Sequence, residues 1–413
     1  MKYMLVFIIV FFLFSSIRAQ VKCLSGDCEN GKGTAQIKED NKKIYYFGSF
    51  SNGKLDGYGE WETTEKSFKI KYKGQFKKGK FEGRGEYTKE SSEYLYRYSG
   101  NFKDSKYHGQ GTYETHYKKA KNFEIKEGVF HKDSLNGLAK VITQDFTYIG
   151  YVSNGIRHGL GLIAFNDGES YSGYFDNNMF SDFGYVSYKN RFRVAGQIVD
   201  GMCCSGFIVS YTSKGDCFVG LSSDTVFGKQ KYASSNDYYV GQLEDGIKKG
   251  PGVLWTGASG QFKSWETEDP DYPDTFFFSK KDTACLTGDC NNGINLMINQ
   301  GIKHTGYFTN SIADGYGVRE FPDSTTYYAY FDNETRNMQD STCIIENPDS
   351  FYISEWKDSS LFGKGIIIEK SNKKVYIGEI SGNKPNGEGI LVTERNQILK
   401  IGQFENGDFI ENE

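Results

Sequence analysis

Along most of the chain, aromatic and β-branched residues alternate with glycine or polar residues in short runs, and brief polar loops separate the runs. Ile70, Tyr72 and Phe76 alternate with Lys69, Lys71, Lys73 and Gln75, and the same rhythm returns beyond each loop. A period of two is the signature of a β-strand, and two such runs about a short loop predict a hairpin. The loops agree: Asn52-Gly53, Asn154-Gly155, Asp245-Gly246 and Asn406-Gly407 stand where positive φ is wanted.

The hairpins repeat. Tyr72-Lys73-Gly74-Gln75-Phe76 is followed by Gly83-Arg84-Gly85, and Tyr148-Ile149-Gly150-Tyr151-Val152 by Gly159-Leu160-Gly161; in both, the second motif begins nine residues after the first glycine. The frame also fits Gly48, Gly100, Gly128, Gly173, Gly196, Gly220 and Gly241, then Gly306, Ala329, Ser354, Gly378 and Gly402, in steps of 21 to 28 residues. A period this regular marks about thirteen stacked copies of one supersecondary unit. Glycine weakens a strand interior, so its recurrence predicts that neighbouring rings lie close against bare backbone, the glycines acting as slots for Tyr and Phe. Two strands alone bury too little to be stable. The fold class is therefore all-β: hairpins paired into an elongated, twisted antiparallel sheet.

These residues resemble the MORN repeat family, whose units run Tyr-x-Gly-x-Phe/Trp, a short loop with glycine, then His/Asp-Gly-x-Gly before another aromatic. The best instances are Tyr46-Phe47-Gly48-Ser49-Phe50 with Asp56-Gly57-Tyr58-Gly59, and Tyr376-Ile377-Gly378-Glu379-Ile380 with Asn386-Gly387-Glu388-Gly389, and the match covers nearly everything after residue 44. The resemblance implies membrane-associated scaffolding and phosphoinositide contact, although those lipids face the cytosol. Three places depart from the frame: Ser205-Gly206-Phe207 is out of phase, Gly228 comes one position early, and Tyr327 to Asp340 has lost every glycine. Bulges or kinks are expected there, and a specific binding site is sought there first.

Between Gly241 and Gly306 the frame breaks for 65 residues, including Trp265-Glu266-Thr267-Glu268-Asp269-Pro270-Asp271-Tyr272-Pro273-Asp274, which reads as an acidic linker. Just after it, Cys285-Leu286-Thr287-Gly288-Asp289-Cys290 nearly copies Cys23-Leu24-Ser25-Gly26-Asp27-Cys28. Two arrays follow from this, residues 23–264 and 285–413, joined by residues 265–284, each opened by a small disulfide loop without a long strand that protects the sheet edge. Eight cysteines is an even number. Cys23 with Cys28 and Cys285 with Cys290 are the local pairs, Cys204 or Cys203 is expected to bridge to Cys217 across adjacent hairpins, and Cys343 would meet the remaining thiol or another chain. A metal site is a poor fit, with no histidine nearby.

The amino terminus changes the setting. Met4 to Phe14 is an unbroken apolar run followed by Ser15-Ser16-Ile17-Arg18-Ala19. It reads as a signal peptide cleaved after Ala19, because eleven apolar residues fall short of the ~20 that span a bilayer. Residues 1–19 are thus expected to be removed, and the mature chain to lie outside the cell or in the secretory lumen, where disulfides persist.

Charge and composition add little chemistry. Residues 61–130 carry 16 Lys and Arg against 10 Asp and Glu, in a chain whose net charge is −4. Lys69, Lys71 and Lys73 would share a strand face, and with Lys77 and Lys78 they form a candidate site for anionic lipid or acidic glycan; the plainer reading is a solvated face. Asn333-Glu334-Thr335 is a candidate glycosylation sequon. His108 and His158 occupy the repeat's own position before Gly-x-Gly and read as structural, while His116, His131 and His304 have no evident partner. No hydrolase elbow, metalloprotease helix or phosphate loop occurs, and the leftover segments leave no room for an enzyme domain. The expected protein is a non-enzymatic scaffold with no cofactor and no metal, presenting a sheet face to a protein, glycan or anionic membrane, with no nucleic-acid partner. The alternative is a glycan-cleaving enzyme with Asp269, Asp271 and Asp274 acting where the arrays meet.

Overall fold

The structure, a computed structural model, describes residues 20–411 except 40–41, 200–201, 213, 215, 223–225, 236, 245–246, 257, 259–260, 266–275, 278–282, 286–291 and 333–340. Every regular element among them is a β-strand. The strands form two open antiparallel sheets, one running from Gln20–Gly26 to Phe276–Phe277 and the other from Thr283–Cys285 to Asp408–Phe409. At the hairpin tips Asn52-Gly53 and Asn154-Gly155 have φ of 49° and 64°, and 52° and 77°. Two consecutive left-handed residues give the tight turn whose twist matches that of the flanking strands. Asp245-Gly246 lies outside the described residues.

The chain divides into two compact units, one ending at Leu135 and the other beginning at Asn136. In the first unit Gly33, Gly48, Gly59, Gly74, Gly85, Gly100, Gly111 and Gly128 face one another in series across the strands, a continuous row of bare backbone. Tyrosines lie on that row. A Cβ on Gly74 would stand 2.6 Å from the Tyr72 Oη, and one on Gly85 would stand 2.5 Å from it. Tyr46 covers Gly48 and Gly59, and Tyr98 covers Gly100 and Gly111, in the same manner. Phe76 meets Tyr46 and Tyr72 edge-on with centroids 5.1 Å away, and Phe102 does likewise with Tyr72 and Tyr98 at 5.0 and 5.1 Å. Rings of adjoining repeats therefore bury one another, which gives a single sheet a dry face.

Directly after the repeat glycine the register slips, between Gly48 and Phe50, Gly74 and Phe76, Gly150 and Val152, and Gly378 and Ile380. A bulge leaves a residue unpaired in the ladder. The slot tyrosine supplies the missing partner: its hydroxyl donates to the carbonyl three residues on, Tyr46 to Ser49 (2.9 Å), Tyr72 to Gln75 (2.8 Å), Tyr98 to Asn101 (3.0 Å) and Tyr376 to Glu379 (2.8 Å). The residue before Gly-x-Gly has its own task, holding the turn of the next hairpin. Asp56 Oδ2 accepts from the Lys78 N–H at 3.2 Å, Glu82 Oε2 from Asp104 at 3.2 Å, and Asn386 Oδ1 from Asn406 at 3.4 Å; Asn136 Oδ1, before Gly137-Leu138-Ala139, does the same for Asn154 at 2.9 Å.

The second unit is a two-layer sandwich. Its first-array strands turn the face away from the slot rings towards the second array's sheet, and Leu160, Leu162, Phe183, Val209, Val219 and Val240 share one core with Val318, Ile344, Ile353, Ile366, Ile377 and Ile390. Polar bonds join the layers at its margin: Ser172 Oγ donates to Asn396 Oδ1 (2.8 Å), and Tyr185 Oη to the Glu394 carbonyl (2.9 Å). Within this unit, then, the arrays are not independent ribbon segments. The residue between slot and glycine reflects the difference in burial: Phe47, Lys73 and Ser99 are exposed in the first unit, whereas Ser172, Val219, Val240, Thr305, Ile353 and Ile377 are buried in the second.

Other expectations need correction. The amino-terminal cap includes more strand than expected, since Gln20–Gly26 is an edge strand of 7 residues paired with Lys32–Glu39, and the Cys23 and Cys28 sulfurs lie at disulfide-bonding distance, with Cα atoms 5.9 Å apart. Cys217 is a free, buried thiol and not half of a cross-hairpin bridge. The register explains this, because Cys217 faces Tyr211, seven residues along the strand from Cys204, or about 23 Å at the usual rise, far beyond the reach of a disulfide. Cys343 is also free and sits in an apolar cluster with Phe331 and Ile345, where burial pushes its thiol up to about 12, so it is not presented to another chain. The early Gly228 still faces Gly220 directly, and Ala329 faces Gly317, so neither breaks the ladder. Cys290, Asn333 and the segment 333–340 lie outside the described residues, as do the side chains of Cys203, Cys204 and Cys285.

Candidate binding surface

The lysines singled out above do share a face. Lys69, Lys71, Lys73 and Lys77 are exposed along Phe68–Lys77, while Ile70, Tyr72 and Phe76 between them are buried. Their neighbours change what that face can do. The strand Lys54–Glu65 sets Glu60 opposite Lys73 and Glu62 opposite Lys71. Lys73 Nζ is 2.7 Å from Glu60 Oε1, while Lys71 Nζ and Lys69 Nζ are 3.6 and 3.8 Å from Glu62 Oε2. The hydrogen bond and charge of Glu60 hold the Lys73 ammonium above its usual range. On the other side Glu86 faces Lys73 and Glu90 faces Lys69, and Arg97 beyond them lies 3.4 Å from Glu86 and 3.6 Å from Glu114. Charge thus alternates column by column across the strands. Such exposed pairs add little stability, but within a Debye length they cancel the potential an anionic surface would feel.

The same face carries uncovered aromatic rings. Phe47 is 62% exposed, Tyr58 57% and Tyr45 43%. Phe47 stands opposite Glu60 and Tyr45 opposite Glu62, and Gln36 Nε2 donates to Tyr45 Oη at 3.1 Å. Beside them Asp56, Tyr58, Gln75, Lys77, Lys78 and Glu82 line an open depression of about 330 Å³. Treating every aromatic as repeat core hides these three. The alternation that buries Tyr46 sends Tyr45 and Phe47 to the opposite face, and that signal was present in the sequence.

The densest cluster of charged chemistry is elsewhere, inside the second unit. Lys229 pairs with Glu320 and packs over the Tyr238 ring, 4.0 Å from its centroid. Lys231 and Lys370 both pair with Glu346, the latter at 2.9 Å, and Tyr328 Oη donates to Glu346 at 2.7 Å. Burial alone would raise the Glu346 carboxyl, yet the two ammoniums prevail and hold it at about 2; burial depresses Lys229 against the pull of Glu320. Lys229 and Lys231 tie the first array to second-array glutamates, and Lys370 adds an ammonium from the second array itself. Beside this network the gap among Phe207, Phe227, Tyr316 and Tyr328 is about 10 Å³, room for no more than a water molecule, so the two layers pack closely there.

His108, His116, His131 and His158 sit on or near the surface. His158 Nδ1 is 3.1 Å from Asp176 Oδ1, His116 Nε2 is 3.4 Å from Glu114 Oε2, and the rings of His108 and His131 are 5.4 Å apart. Among the described residues no three His, Cys, Asp or Glu converge as metal ligands. Asp269, Asp271 and Asp274 lie outside the described residues.

Seven segments match the MORN repeat: residues 46–62, 72–92, 98–115, 148–170, 239–257, 304–326 and 376–393. Six open on a slot tyrosine and one opens on His304. MORN repeats suggest a repeat scaffold or binding protein. No curated protein matches the chain.

Proposed function

We propose that the protein is a non-enzymatic, exported scaffold that offers the charged, aromatic-edged face of its first unit to a protein or glycan partner. The observation that carries this reading is a contrast at one repeat position. In the second unit that position is buried, under another sheet at Val240, Ile353 and Ile377 and buried also at Ser172 and Thr305; in the first it holds Lys73, Ser99 and Phe47, which are exposed, with Tyr58 exposed beside them. Rings beside hydrogen-bonding carboxylates and amides suit a protein hot spot or a sugar ring. The pairing of Lys71 and Lys73 with Glu62 and Glu60 weighs against an anionic membrane as the main partner.

The experiment is affinity capture from the native secreted fraction with wild type and with Phe47→Asp/Tyr58→Asp, alongside sequencing of the mature amino terminus. Partners lost by the variant while its circular dichroism is unchanged support the surface. Equal capture by both proteins overturns it. A mature chain that starts at Gln20 supports export, and retention of residues 1–19 argues against it.

A further inference from the structure

His304 occupies a slot built for tyrosine. It stands two residues before Gly306, and its ring lies where a Cβ on Gly317 would come within 2.7 Å of it. In slots that hold tyrosine, such as those of Tyr72 and Tyr376, the phenol reaches the carbonyl of the bulge. The imidazole does not: it is 6% exposed, and neither Nδ1 nor Nε2 has a hydrogen-bond partner among the described residues. Phe308 and Phe331 wall it edge-on, with centroids 5.1 and 4.8 Å away.

No compensating carboxylate faces this ring among the described residues. Met297, directly opposite on Gly293–Asn299, is apolar. On the other side Arg319 of Ile312–Glu320 is directly opposite, its guanidinium 4.1 Å from the Phe331 centroid. Of the hairpin's other charges, Glu320 pairs with Lys229 and Lys303 lies over the Trp255 ring, and Asp314, on the same strand as Arg319, is not among the groups that act on His304. Burial first, and the Arg319 charge second, hold His304 at about 3, so it is neutral in the folded protein at any ordinary pH.

We propose that the hairpin Ile302–Glu320 is an acid-release element of the second unit, opened when His304 takes up a proton. Strand Ile302–Thr309 and strand Ile312–Glu320 supply Val318 to the shared core and Glu320 to Lys229, and Tyr307 Oη accepts from Gln242 Nε2 at 2.9 Å. Opening the hairpin removes all three links from that part of the sandwich. The sign follows from linkage: the open state binds the proton near the free-histidine value of about 6.5, so protection is complete above it and declines as pH falls towards 3. Between pH 7.5 and 5.0 the opening equilibrium rises about 30-fold. At pH 5.0 Glu346 stays ionised, which separates this element from the lysine–glutamate network.

Amide hydrogen exchange on the full chain at the two pH values, corrected for intrinsic exchange rates, tests this. Protection across residues 302–320 is expected to fall about 30-fold at pH 5.0 relative to residues 374–393. His304→Tyr should abolish the difference, and Tyr376→His should create it in residues 374–393. Equal protection at both pH values in the wild type overturns the proposal, as does a fall that persists in His304→Tyr.

Discussion

The Tyr72 hydroxyl donates a 2.8 Å hydrogen bond to the carbonyl of Gln75, crossing the bare backbone of Gly74 to reach it. This joins three features of the repeat: the glycine leaves room for the ring, the bulge frees the carbonyl, and the phenol satisfies it. Tyr72→Phe keeps the ring and removes the bond, leaving a partly buried carbonyl unpaired, and should cost about 1 kcal/mol in urea unfolding. Gly85→Ala places a methyl group against the same ring, at a residue whose φ is not left-handed, and should cost about 1–3 kcal/mol by overpacking alone.

Because Lys71 and Lys73 are flanked by Glu62 and Glu60, reversing both to glutamate should lower stability slightly, read as a small drop in the urea midpoint. Adding Glu60→Lys and Glu62→Lys should restore it. Cosedimentation with anionic liposomes should be the same for the wild type and the Lys71/Lys73 reversal; a clear loss in the reversal would reinstate the lysine face as an anion site.

Glu346 should make the second unit acid-sensitive at low pH. Its folded carboxyl sits at about 2, below the ordinary value of 4.5, so the stabilisation is present above 4.5 and disappears as pH falls through 2. At neutral pH the difference corresponds to roughly 3 kcal/mol. Glu346→Gln leaves the Lys231 and Lys370 ammoniums half-buried without their counter-ion and should cost about 3 kcal/mol at pH 7. Unfolding midpoints measured from pH 7 to 2.5 should decline for wild type and much less for the variant.

Peptide mapping without reduction should recover Cys23 linked to Cys28 and free thiols at Cys217 and Cys343. Closing so short a loop stabilises the edge strand by about 2 kcal/mol. Reduction should therefore raise exchange in residues 20–39 and leave that of Cys217 and Cys343 unchanged. A recovered peptide linking Cys204 to Cys217 would contradict the register that sets Cys217 opposite Tyr211.

Most of the architecture can be read from residues near one another in the chain. Asn52-Gly53 sets its turn through its own backbone, and Tyr72 acts on Gly74, Gln75 and Gly85 within a single hairpin, so repetition of the spacing suffices to announce the hairpin, its slots and its sheet. Alternation also separates Tyr46 from Phe47, which places them on opposite faces. It does not say which face is covered. That Ile377 meets the other array while Lys73 meets Glu60 depends on contacts between distant segments and on cross-strand register, neither of which is recorded in the spacing along one strand. The same holds for His304: its position in the repeat is visible in the frame, but the loss of its partner arises only when Phe308, Phe331 and Arg319 close around it and exclude water.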